Sequence, residues 1–148
     1  MTAPTEQALE AALLEQSPHA VIFAGKDGVI QVWNAAAERV FGHKAADAVG
    51  QSLDIIIPEQ FRNAHWTGYD RALEAGETKY RGQALTTRSI RADGETFYVD
   101  LGFEIVKDAA GTVIGAMATA RDVTERFNRD RETRRELREL REAAKGQG

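Results

Sequence analysis

The chain has 148 residues, 43% of them apolar and 28% charged, the proportions of a soluble globular protein with room for one core but not for a catalytic domain beside a second one. A net charge of -4 gives no bulk attraction for nucleic acid or an anionic membrane surface, so neither is expected as a partner. The absence of cysteine excludes disulfides, thiolate nucleophiles, Cys-ligated metal sites and cysteinyl-flavin photochemistry. No basic stretch followed by an apolar run opens the chain, and no run approaches the roughly 20 apolar residues of a membrane span, so a cytoplasmic protein is expected.

In chain order, Thr5 to Gln16 reads as a short amphipathic helix with Thr5 at the capping position and Leu9, Ala12 and Leu13 on one stripe. Pro18 stops it. Ala20 to Ala24 and Val29 to Trp33 then form a hairpin turning on Asp27-Gly28, after which Asn34 opens a helical run. Gly42, Gly50 and Pro58 break the next stretch into several short helices, and a longer helix follows with Phe61, His65, Tyr69, Ala72 and Leu73 at spacings of three and four, ending at Ala75-Gly76. Lys79 to Ile90, Glu95 to Val106 and Thr112 to Arg121 read as three strands of an antiparallel meander. From Thr124 to Lys145 eight Lys or Arg interleave with six Asp or Glu around Phe127, Leu137, Leu140 and Ala144, which describes a solvated helix with a thin apolar seam. Strands grouped at both ends around helices predict an α+β fold, a five-stranded antiparallel sheet with helices on one face. The expected division is 1–17 for the leading helix, 18–123 for the domain and 124–148 for the trailing helix.

Several strings taken together resemble the PAS family of signalling modules: Asp27-Gly28-Val29-Ile30, the run from Trp33 to Gly42, Val49-Gly50-Gln51-Ser52-Leu53, Ile57-Pro58-Glu59, Arg91-Ala92-Asp93-Gly94-Glu95 and the closing Arg121-Asp122-Val123-Thr124. The stretch from Pro58 to Arg71 is similar to the longer helix of FixL-type haem-PAS oxygen sensors, in which a His at this spacing ligates haem iron. The resemblance implies haem b bound through His65 as axial ligand, with Arg71 placed to contact a haem propionate. Tyr69, Leu85, Leu101, Phe103 and Met117 complete the expected site, the last three as alternating residues on two strands that would wall an apolar pocket. His19 and His43 are read as incidental. FixL-type sensors carry an arginine on the strand after this helix to stabilise bound oxygen, and alignment through Asp93-Gly94 puts Leu85 there. Arg81, Gln83 and Trp66 are the candidates to replace that donor.

The resemblance therefore implies a sensor that detects a diatomic gas (O2, CO or NO) and relays ligand state through its terminal helices to a kinase or cyclase output domain. A cofactor-free dimerisation or interaction module, and a sensor of a small organic metabolite, are the other readings. No flavin is expected. An enzyme is not expected either, since there is no Gly-rich phosphate loop, nucleophile elbow or paired His-acid metal motif. Leu9, Leu13, Val123, Phe127, Leu137 and Leu140 form stripes too extensive for the sheet to cover, which predicts a homodimer.

Overall fold

The computed structural model describes residues 5–79 and 83–146. Helix α1, Glu6–Gln16, starts where the Thr5 hydroxyl accepts the Ala8 N–H at 3.1 Å, which satisfies one of the free donors of a first turn. The helix buries none of its residues. Its attachment depends on Asn34, 1% exposed. The Asn34 carboxamide donates to the carbonyls of Leu14 (2.9 Å) and His19 (3.1 Å) and accepts from the N–H groups of Val21 (2.9 Å) and Ala37 (3.0 Å). All four hydrogen-bonding positions of the amide are thereby used, and one side chain ties together α1, the first strand and the helix it caps.

Strands β1, Ala20–Gly25, and β2, Ile30–Trp33, form the expected hairpin. Gly28 adopts φ 76° in its turn, and a Cβ there would strike the Trp66 ring. Only glycine meets both demands without strain. Helix α2, Ala35–Phe41, ends at Gly42 in the left-handed conformation; α3, Ala45–Ala48, and 3-10 turns at Leu53–Ile56 and Glu59–Phe61 follow. Helix α4 spans Arg62–Ala75 and closes on left-handed Gly76.

The remaining strands are β3, Leu85–Ile90, β4, Thr96–Lys107, and β5, Val113–Asp122, and the antiparallel sheet runs β2-β1-β5-β4-β3. The third strand was expected from Lys79. Pairing with β4 begins only at Leu85 opposite Leu101, leaving Gln83 and Ala84 in the connection; Tyr80, Arg81 and Gly82 lie outside the described residues. The core sits between the sheet and α2 to α4, with Ile22, Ile30, Phe41, Phe97 and Val99 all under 2% exposed. Phe41 meets Phe97 edge-on at 5.7 Å. Each such side chain contributes roughly 1.5–3 kcal/mol by leaving water.

Register decides which residues face the helices. Leu101, Phe103 and Ile105 of β4 stand opposite Ala120, Ala118 and Ala116 of β5, so these six share a face. Met117 stands opposite Glu104 and Phe23, on the other face.

Helix α5 covers Thr124–Gly146. Its start is held by the domain: Val123 is 6% exposed, the Phe127 ring stacks on Tyr98 at 3.8 Å, and the Thr124 hydroxyl accepts the Tyr98 N–H at 3.0 Å. Val123 and Phe127, expected in an uncovered stripe, are thus covered by their own sheet. From Asn128 to Gly146 every residue is exposed. No helix among the described residues is long and apolar enough to cross a membrane.

Candidate functional site

A cavity of about 790 Å³ opens between α4 and the β3–β4 end of the sheet, within the roughly 300–1,000 Å³ typical of small-molecule sites. One wall is α4. Ala64, Gly68 and Ala72 repeat every fourth residue on its cavity side, and a Cβ placed on Gly68 meets nothing within 4 Å. Small side chains at one helical face leave this volume empty. The opposing wall comprises Gln83, Leu85, Thr87, Leu101 and Phe103, and the connection from Glu77 to Lys79 closes one end.

His65 lies on the α4 wall. Its ring meets Trp66 edge-on at 4.7 Å and Tyr69 at 5.6 Å. Burial lowers its pKa below the usual 6.5, with the Asp54 carboxylate pulling the other way, so the imidazole is neutral near pH 7. Its Nδ1 is buried with no hydrogen-bond partner. A buried, unpaired imidazole nitrogen costs desolvation that nothing among the described residues recovers.

The surrounding groups are committed elsewhere. Trp66 Nε1 donates to Asp54 Oδ1 at 2.7 Å, and Arg62 reaches the Ile57 carbonyl at 3.1 Å, which together pin the first turn of α4. Tyr69, 2% exposed, donates its hydroxyl to the Gly25 carbonyl at 2.7 Å. Burial, then the charges of Asp27 and Asp70, push its phenol up to about 12, so it remains a donor. The Thr78 hydroxyl donates to the Phe103 carbonyl at 3.4 Å and that of Thr87 to the Leu85 carbonyl at 3.3 Å.

The structure brings together six of the seven residues singled out from sequence: His65, Tyr69, Arg71, Leu85, Leu101 and Phe103 all line the cavity. Met117 does not, because the strand's alternation runs the other way and Ala116, Ala118 and Ala120 take the inward positions. Trp66 has its indole N–H engaged, and Arg81 lies outside the described residues. Thr87 and the Ala64, Gly68, Ala72 row were missed. The row was visible as small residues at a spacing of four beside His65; Thr87 required the register of β3. His43 Nε2 is buried without a partner among the described residues, but the ring sits against Trp33 at 6.1 Å, away from the cavity. Among the described residues no three His, Cys, Asp or Glu gather in a way that would hold a metal ion.

A five-stranded antiparallel sheet packed against a cluster of short helices, with a cavity between α4 and the β3–β4 end, is the architecture of this domain. The PAS fold family matches residues 14–128, and the chain belongs to it as a signal-sensing module. Among curated proteins it is similar to Sensor protein FixL of Bradyrhizobium diazoefficiens, 33% identical over 89 residues that cover 60% of this chain and 18% of that protein. It is also similar to Oxygen sensor protein DosP of Escherichia coli, 24% identical over 121 residues that cover 82% of this chain and 15% of that protein. The chain thus spans less than a fifth of the length of either. Among solved structures, the PAS domain of a Colwellia psychrerythraea protein superposes with a TM-score of 0.71 at 18% identity, covering 82% of this chain and 99% of that one, a likeness of fold.

Proposed function

We propose that the module binds haem b in this cavity through His65 and senses a diatomic gas. The observation that carries the proposal is the His65 imidazole, neutral and set on the α4 wall of a cavity large enough for a small molecule. The residues present fit the group. A haem iron needs one neutral imidazole from the protein and not a cluster of ligands, and the smooth row of Ala64, Gly68 and Ala72 leaves room for a flat macrocycle beside it. When bound, haem supplies an iron with a coordination site open to a gas.

The chain's own contributions are distinct from that chemistry. His65 offers a lone pair from a ring held by Trp66 and Tyr69. Arg71, exposed at the cavity edge, would pair with a carboxylate of the group. Leu85, Leu101 and Phe103 supply the apolar part of the opposing wall. No residue is assigned catalysis.

Relay to an output domain fits α5, whose first turn is fixed to β4 by the Tyr98–Phe127 stack while its remainder projects free of the domain. A homodimer formed through the terminal helices in the cytoplasm, feeding a kinase or cyclase, is the assembly this reading implies. Protein expressed with supplementary haem should show a Soret band. Its absence would overturn haem sensing and leave a small metabolite, or partner binding with no cofactor, as the use of the cavity.

A further inference from the structure

We infer that Gln83 is the hydrogen-bond donor that distinguishes one gas from another in this cavity, an inference that rests on the haem reading above. His65 stands on the α4 wall, and a ligand held by it would be faced by the sheet wall across the cavity. Among the described residues that wall carries two polar side chains, Gln83 and Thr87, beside Leu85, Leu101 and Phe103. The Thr87 hydroxyl is turned onto the Leu85 carbonyl at 3.3 Å. The hydroxyls of Tyr69 and Thr78 and the indole N–H of Trp66 are likewise engaged by protein acceptors. The Gln83 side chain, exposed at the cavity edge, has no hydrogen-bond partner among the described residues, and it precedes β3 by two residues, free of the sheet ladder.

Placement and chemistry agree. Gln83 lies two residues before Leu85, and both line the cavity. Its long side chain can offer an N–H to this part of the cavity, where Leu85 itself has only methyl groups. A carboxamide is uncharged, so bringing it against a bound ligand costs less desolvation than a guanidinium would. It also donates and accepts, so it stabilises a gas that takes on negative charge more than one that stays nearly neutral. Oxygen is the gas so favoured over carbon monoxide.

The test uses the full chain with haem, comparing wild type, Gln83→Leu and Thr87→Val by oxygen and carbon monoxide dissociation rates and by the C–O stretching band of the carbon monoxide complex. Gln83→Leu should speed oxygen release about tenfold, the worth of one ordinary hydrogen bond, shift the stretching band, and leave carbon monoxide release within about twofold. Thr87→Val should change none of these. An intact Soret band with unchanged oxygen release in Gln83→Leu overturns this inference alone, and an effect confined to Thr87→Val reassigns the donor and overturns it as well. A wild-type protein with no Soret band overturns the haem reading and this inference together.

Discussion

Gly28 shows how much one residue can be asked to do. Asp27-Gly28 is recognisable from sequence as a tight turn, but the contact with Trp66, 38 positions away, is not. Gly28→Ala meets two penalties, a left-handed backbone and a Cβ that drives into an aromatic ring. It should therefore lower stability by roughly 1–3 kcal/mol, seen as a drop in the urea midpoint at unchanged slope. An unshifted midpoint would mean that Trp66 does not pack on the turn. His65 was legible as a residue type on a helix face, whereas its unpaired nitrogen depends on what Asp54, Trp66 and Tyr69 do with their own polar groups. Met117 marks a different limit. Alternation says which strand residues share a face but not which face it is, and only the pairing of Met117 with Glu104 and Phe23 decides that.

Among the elements, the hairpin, the chopped helical region, α4 and the meander were all readable, because glycines, Pro58 and period-two runs punctuate them. The start of β3 was not, since strand-like composition continues upstream of the point where β4 supplies a partner. The junction between β5 and α5 is held by Arg91, whose guanidinium lies 2.7 Å from Asp122 and 3.8 Å from the centre of the Phe97 ring. Burial raises the Asp122 carboxyl pKa, but hydrogen bonds from Arg91 and Thr124 outweigh it and hold the group below the usual 3.8. A carboxyl with a lowered folded pKa stabilises the fold fully above its unfolded value and loses that contribution as pH falls through the folded one. Asp122→Asn should accordingly cost about 0.5–1 kcal/mol at neutral pH, a modest figure because the pair is partly solvated, and almost nothing near pH 2. Urea unfolding of both proteins at the two pH values checks this, and a difference that persists in acid would contradict it.

Across the whole molecule, the core and the helices that pack on it leave two sets of leucines in water: Leu9 and Leu13, 49% and 64% exposed, and Leu137 and Leu140, 49% and 67% exposed. Beyond Phe127 the trailing helix has 19 exposed residues, which span about 28 Å. A projecting helix with an apolar seam gains most by pairing with a second copy. Cutting the chain after Arg131 keeps Val123 and Phe127 seated on the sheet and removes only the free part of α5. This truncation should shift sedimentation from dimer to monomer and leave ligand binding intact; a full chain that sediments as a monomer at tens of micromolar, or a truncated one that no longer binds ligand, would contradict the assignment. The charge pattern of the trailing helix was plain in the sequence. That Phe127 belongs to the domain and not to the seam required seeing Tyr98 beneath it.

The central claim is that one imidazole, His65, is what the cavity offers a metal. It is tested most directly by absorption spectra of the haem-supplemented full chain as wild type, His65→Ala, His43→Ala and His19→Ala. The account predicts a Soret band in the wild type that His65→Ala removes or greatly weakens and that the other two substitutions leave in place. A band that survives His65→Ala unchanged, or that His43→Ala or His19→Ala removes equally, would contradict it.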